Sequence, residues 1–229
     1  SGKCYLSLHT TNSSANRGAC IQNCRKTYTV TDKEDGHQFD IDNEYIMSPK
    51  DLCTIGFINK VIDSGSSVLK IEGRGRSPEY VKTTTQCYRE AADAYLKKTY
   101  NKEKVKEWMN RLKTVYNRGF WDGYYLGQKI GEWTGIHGSK ATKKKIYLGK
   151  AKKYFTKIQV AEFDLEAQEL QKGDSILITG RTTGVIEAVA DEIRINDSQV
   201  KEVKKGDNFS MKINCKVQPN DKLYKVLNS

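Results

Sequence analysis

Proline, histidine and tryptophan are scarce, at 3 residues each in a chain of 229. No run approaches the ~18 apolar residues needed to span a bilayer, which excludes a membrane-embedded chain. No basic-then-apolar leader opens it, so the expected compartment is the cytoplasm. Neither His-Glu-x-x-His nor Gly-x-Ser-x-Gly occurs, which removes the zinc-protease helix and the serine-hydrolase elbow. The 6 cysteines are unevenly spread, and a disulfide framework belongs to short secreted chains, a context this sequence lacks.

What is present suffices for folded cores: 37% of residues are hydrophobic and 29% charged. The length fits two domains of roughly 100–150 residues each. Charge is placed unevenly. Residues 101–160 carry 15 Lys+Arg against 4 Asp+Glu, a net of +11. The flanking stretches nearly cancel, at +2 for 1–100 and −2 for 161–229. A local cationic excess of this kind suits a polyanionic partner, most often nucleic acid. A merely solvated lysine-rich surface is the bland alternative.

The first 50 residues are loop-rich, with short strands expected around Tyr28-Thr29-Val30 and Phe39-Asp40-Ile41 on either side of an Asp35-Gly36 turn. Ser48-Pro49-Lys50-Asp51 has the form of a helix start, and Leu52, Ile55, Ile58 and Ile62 continue at helical spacing. Ser67–Ile71 reads as a short buried strand ahead of the loop Glu72-Gly73-Arg74-Gly75-Arg76. Helices are expected from Ser77-Pro78-Glu79 and from a cap at Asn101. Residues 119–142 hold six glycines and read as an irregular linker. Beyond them the period changes to two, with strands expected at Lys144–Lys150, Phe155–Phe163, Ser175–Thr179, Val185–Ile195, Phe209–Val217 and Lys222–Leu227. The fold class is therefore α+β: α/β units over 1–118, the linker 119–142, and a small all-β barrel over 143–229.

Cys4, Cys20, Cys24 and Cys53 crowd into the first quarter of the chain. In a cytoplasmic protein such a group reads as metal or iron–sulfur ligands, because thiolates are soft donors. Gaps of 15 residues between Cys4 and Cys20 and of 28 between Cys24 and Cys53 do not fit a common zinc ribbon. Buried free thiols are the alternative.

Several blocks, in order, resemble the collagenase-like peptidases of unassigned catalytic type, peptidase family U32. Gly2-Lys3-Cys4-Tyr5-Leu6-Ser7 is similar to the second half of that family's C-x4-G-x-C-x-[LIVM]-S signature. Asn16-Arg17-Gly18-Ala19-Cys20, Ser48-Pro49-Lys50-Asp51-Leu52-Cys53, Leu69-Lys70-Ile71-Glu72-Gly73-Arg74 and Tyr88-Arg89-Glu90-Ala91 follow. The resemblance implies that 1–118 is the last part of a TIM-like (β/α) barrel. It also implies that the strand-rich tail is similar to the second domain of elongation factor Tu. The signature's first Cys would fall before residue 1, so the chain is expected to be the C-terminal portion of a longer protein.

The family resemblance implies two activities. One is peptidase action. The other is hydroxylation of tRNA or rRNA bases, or of quinone precursors, by iron–sulfur proteins that use no molecular oxygen. For the second, Cys4, Cys20 and Cys53 match three ligands of a four-iron four-sulfur cluster (4Fe-4S), and Cys24 lies close enough in sequence to reach the same site. From the residues themselves, Lys70, Glu72, Arg74 and Arg76 stand at the end of an expected strand, where α/β barrels carry functional groups. Glu72 could accept a proton and the arginines could hold a phosphate, or Glu72 and Arg74 could simply brace the loop. Lys140, Lys143, Lys144, Lys145, Lys150, Lys152, Lys153 and Lys157, interleaved with Tyr147, Tyr154 and Phe155, suit single-stranded RNA. His9 near Cys4 is the one sequence hint of a nucleophile–base pair. The expected function is an RNA hydroxylase. A peptidase, or a non-catalytic module binding RNA or another partner, is the alternative.

Overall fold

In a computed structural model of the chain, residues 4–41, 49–73, 75–129, 132–136 and 138–229 are described. They form two compact units that interleave along the chain: Ser1–Gly65 with Tyr116–Lys140, and Ser66–Val115 with Ala141–Ser229. The expected segments 1–118, 119–142 and 143–229 run consecutively instead. No helix among the described residues is long and apolar enough to cross a membrane.

The first unit opens with helix α1 (Tyr5–Thr11), whose N-cap is Cys4: its Sγ accepts the Ser7 backbone N–H at 3.5 Å. Strands β1 (Tyr28–Thr31) and β2 (Gln38–Ile41) pair antiparallel, as the Asp35-Gly36 turn predicts. Gly36 takes the positive φ of +77° that this turn needs. The helix expected from Ser48-Pro49 does not form there, although Ser48 itself lies outside the described residues. Asp51–Leu52 is instead a short strand, β3, running parallel to β4 (Phe120–Trp121). Tertiary partners override the local helix signal. The Asp51 backbone N–H donates to the Gly119 carbonyl at 2.9 Å, and its carboxylate accepts the Arg118 backbone N–H at 3.0 Å. Helical geometry begins only with the turn Ile55–Phe57 and α2 (Ile58–Asp63), which bury Ile55, Phe57 and Ile58. The stretch after Gly119 is irregular but pinned: Pro49 bridges Trp133, and Lys50 Nζ meets Glu132 at 2.5 Å.

In the second unit, Ser67–Ile71 is not the expected buried strand. It is irregular, with Val68 84% exposed, because no strand lies beside it among the described residues to complete a ladder. The TIM-like units implied by the family resemblance are likewise not seen among the described residues, where β3–β4 is the single parallel pairing. Helix α3 (Pro78–Leu96) starts as expected, with Ser77 extended before it, Pro at its head and Glu79 in the first turn. Its buried face is Thr84, Cys87, Ala91 and Ala94. Helix α4 (Lys102–Lys113) is capped by Asn101, whose Oδ1 accepts the Lys104 N–H at 2.9 Å, and it buries Trp108 and Leu112. Glu90 of α3 ties the pair together. It accepts from Arg111 at 2.5 and 3.0 Å and from the Trp108 indole N–H at 2.9 Å. The Arg111 hydrogen bond holds its carboxyl below the usual range.

The rest of this unit is β-structure: β5 (Lys143–Phe155), β6 (Val160–Leu165), β7 (Glu169–Gln171), β8 (Ser175–Gly180), β9 (Gly184–Val189), β10 (Ile193–Ile195), β11 (Ser198–Val200), β12 (Glu202–Lys204), β13 (Asn208–Lys212) and β14 (Lys222–Asn228). Eight of these form an antiparallel sheet ordered β11-β10-β13-β6-β5-β14-β8-β9, and β7 pairs with β12. Strands from both edges pack on one core. Ile186 and Ala188 of β9, Ile195 of β10 and Val200 of β11 lie against Leu148, Phe163, Ile178, Phe209 and Leu223. Phe163 and Phe209, partners in register, stack at 5.5 Å. Three strands are shorter than expected, Phe209–Val217 among them, since β13 ends at Lys212. Residues 156–159 turn, with Gln159 at φ 54°, and β9 and β10 are separate.

Strand β5 is thirteen residues long and breaks strict alternation twice. Its register slips against β14 at Leu148, where Gly149 and Tyr147 face Leu223 and Tyr224. It slips against β6 at Lys152, where Ala151 and Lys153 face Phe163 and Glu162. The Leu148 carbonyl freed by the first slip accepts N–H groups from Glu166 and Ala167, at 2.7 and 2.9 Å. Each bulge turns the strand by one residue. Lys145 and Tyr147 therefore share the outer face with Lys150, Lys152 and Lys153, although their positions differ in parity.

Candidate functional site

The cysteine-bearing segment is organised around the buried Ser7. Its hydroxyl accepts the Ile21 N–H at 3.3 Å, which folds the chain after Cys20 back onto α1. The Asn23 amide donates to Thr10 Oγ1 at 2.6 Å, and the Tyr28 hydroxyl donates to the Asn23 carbonyl at 2.6 Å, so the short turn holding Cys24 is tied to the same helix. Cys4, Cys20 and Cys24 are half-buried here. Cys20 Sγ accepts the Gln22 N–H at 3.4 Å. Cys53 is buried just after β3, in the same unit, its N–H donating to the Trp121 carbonyl at 2.9 Å. The thiolate chemistry suits an iron–sulfur centre. Among the described residues, no three His, Cys, Asp or Glu side chains gather where they could hold a metal ion. Cys87 is buried between α3 and α4, with its thiol 3.9 Å from the Trp108 carbonyl, and Cys215 is exposed.

The second group lies on the segment that leads into α3. Glu72 is exposed on the irregular segment before α3, not at the end of a strand. Arg76 is half-buried, with its guanidinium 5.2 Å from the centre of the Tyr80 ring. Arg74 lies outside the described residues, as does His137. His9 is exposed, and among the described residues neither His9 nor His37 hydrogen-bonds a Ser or Cys side chain.

The lysines divide into two classes. Several on β5 are neutralised by carboxylates of the same unit. Lys145 pairs with Glu79 of α3 at 2.7 Å and lies 4.7 Å over the Tyr224 ring. Lys150 meets Glu166 at 2.8 Å. Lys152 lies 3.6 Å from Glu162 and 3.9 Å from Asp164. Glu166 also accepts the Tyr147 hydroxyl at 2.5 Å, and this hydrogen bond pushes the Tyr147 phenol up to about 12. Hydrogen bonds from Lys150 and Tyr147 hold the Glu166 carboxyl down. The second class is exposed. Lys143, Lys144, Lys153 and Lys157 have no carboxylate partner among the described residues. Lys153 lies 4.8 Å over the Phe155 ring. Lys140 belongs to the other unit, where its N–H donates to the Asn117 carbonyl at 2.7 Å. The carboxylate pairing was open to sequence reading: Glu162-x-Asp164-x-Glu166 sets three acids on one face of a strand. Which lysines they meet depends on the bulges, which carry no comparable sequence mark.

The model of peptidase family U32 matches residues 1–135. Over 225 residues the chain is 58% identical to a collagenase of Porphyromonas gingivalis, covering 98% of this chain and 54% of that protein. It is 34% identical to tRNA hydroxylation protein P1 of Bacillus subtilis over 206 residues, 84% of this chain and 47% of the relative. Over 96 residues, 42% of this chain and 14% of the relative, it is 40% identical to a 23S rRNA 5-hydroxycytidine synthase of Escherichia coli. The chain spans about half the length of the curated relatives it matches.

Proposed function

The chain belongs to peptidase family U32, and from that premise we propose that the whole protein hydroxylates bases in tRNA or rRNA, with the strand-rich unit holding the RNA. The observation that carries this reading is the division of the lysines. Lys143, Lys144, Lys153 and Lys157 stay exposed and unneutralised while their neighbours on the same strand are matched by acids. Unmatched cations beside an exposed aromatic ring suit phosphate contact and base stacking. The names of the Bacillus subtilis and Escherichia coli relatives point the same way. We further propose that residues up to about 118 complete a (β/α) barrel in the whole protein.

An iron–sulfur centre belongs to this reading as a proposal for the whole protein. Cys4, Cys20 and Cys53 would be ligands, with Cys24 beside them. Among the described residues, no three of these thiols come together as a ligand group. Iron and acid-labile sulfide assays on anaerobically purified protein, with Cys4→Ser, Cys20→Ser and Cys53→Ser beside the parent, test it. Iron that stays bound in all three variants rules these ligands out.

Proteolysis is the second reading, favoured by the 58% identity to the Porphyromonas gingivalis collagenase. Deleting the gene and analysing nucleosides of tRNA and rRNA by mass spectrometry separates the two. Loss of one nucleoside heavier by an oxygen atom is expected. Unchanged nucleosides, together with gelatin cleavage by the purified protein, would establish the peptidase instead.

A further inference from the structure

Resting on the RNA reading above, we propose that the tip of the β5–β6 hairpin and the adjoining end of β13 form the surface that grips unpaired RNA, through Lys153, Phe155, Lys157, Ile158 and Lys212. Residues directly paired across a sheet point to the same face. Phe155 pairs with Val160, and Val160 with Lys212, so these three make one outward row. Lys153 stands in the next row, opposite Glu162. The turn beyond them presents Lys157 and Ile158. Ile158 is 63% exposed and Phe155 37% exposed, although each is a large apolar side chain.

The tip is braced, which separates it from an ordinary frayed turn. The Ile213 N–H donates to the Gln159 carbonyl at 2.8 Å, and the Tyr154 hydroxyl donates to the Ile213 carbonyl at 2.9 Å. Charge is also graded along the strand. Towards its middle, Lys150 and Lys152 are answered by Glu166, Glu162 and Asp164. At the tip, Lys153, Lys157 and Lys212 are exposed and have no carboxylate partner among the described residues.

Two apolar side chains ringed by uncompensated cations call for a partner with flat apolar faces and a chain of negative charge. Unpaired RNA has both, whereas a duplex hides its base faces in the stack. Lys153 over the Phe155 ring sets a cation beside the surface on which a base would stack. Two exposed side chains are a small wedge for a bilayer, so an anionic membrane is the less suited partner. The tyrosines of the same strand are otherwise engaged: Tyr154 packs on the core and Tyr147 is bonded to Glu166.

The test is fluorescence anisotropy of the full chain with single-stranded oligouridine, an RNA hairpin duplex and phosphatidylserine vesicles. Phe155→Ala should weaken oligouridine binding on the order of 10-fold. The double change Lys157→Ala and Lys212→Ala should lower the salt slope by about 1.4, or roughly 0.7 per phosphate contact. Both variants should keep the parent's melting temperature, since the side chains are exposed. Loss of oligouridine binding on Lys143→Ala with Lys144→Ala, while the tip variants bind like the parent, overturns this surface and leaves the RNA reading standing. Preference for the duplex or the vesicles also overturns it. A parent chain that binds no RNA removes the RNA reading and the surface together.

Discussion

Cutting back Glu90 should loosen the α3–α4 pair by an amount that divides into two measurable parts. Glu90→Ala takes away the acceptor of the Trp108 indole N–H, on a side chain only 3% exposed. A buried donor left unpaired costs about 1–3 kcal/mol. The same change removes the fork to Arg111. That pair is partly exposed, with 33% and 46% of its side chains accessible, so solvent screening leaves about 0.5–1 kcal/mol. The total is about 1.5–4 kcal/mol. Glu90→Gln keeps an amide oxygen for the indole and loses only the charge, for about 1 kcal/mol. Urea unfolding followed by circular dichroism at neutral pH reads both losses as shifts in midpoint at constant slope. Equal losses for Ala and Gln would refute the assignment of the larger share to Trp108. Acid supplies an independent reading. The Arg111 hydrogen bond lowers the Glu90 pKa from its ordinary 4.5. The contribution is therefore complete above that value and fades as pH falls through the lower folded-state pKa. The stability gap between parent and Glu90→Gln should close in acid, and a gap that widens there would contradict the pairing.

Two further outcomes follow from the sheet. A Cβ on Gly149 would lie 1.9 Å from the Asp164 carbonyl oxygen, a backbone atom that cannot step aside without parting β5 from β6. Gly149→Ala should cost at least about 2–3 kcal/mol and lower the melting temperature by roughly 5 °C or more; an unchanged melting temperature would refute the close approach. Ultraviolet titration should show one phenol ionising near 12, and Glu166→Gln should return it towards the usual tyrosine range. A Tyr147 phenol indifferent to Glu166→Gln would mean that this hydrogen bond is not made in solution.

Features settled by near neighbours were legible in the sequence. Asn101 caps α4, Ser77-Pro78-Glu79 starts α3, and Asp35-Gly36 turns the β1–β2 hairpin, because each depends on residues within a few positions. Ser48-Pro49-Lys50-Asp51 misled because Asp51 finds its partners at Arg118 and Gly119, far along the chain. Ser67–Ile71 has strand-like composition, but composition alone cannot supply a neighbouring strand. At the lysine site, the sequence shows the cations and the three acids at 162, 164 and 166. It does not show the two bulges that decide which of them meet.

The bulges in β5 also bear on how this strand tolerates changes of length. Away from the two bulges, losing one residue would invert the facing of every side chain on one side of the cut, driving lysines inward and core residues outward. Removing Lys152 would instead restore an unbroken two-residue rhythm, with Lys150 and Lys153 still outward and Ala151 and Tyr154 still inward. Relatives one residue shorter at this point could therefore keep the same face towards their partner, and an alignment that forces the gap elsewhere in the strand would assign that face to the wrong residues.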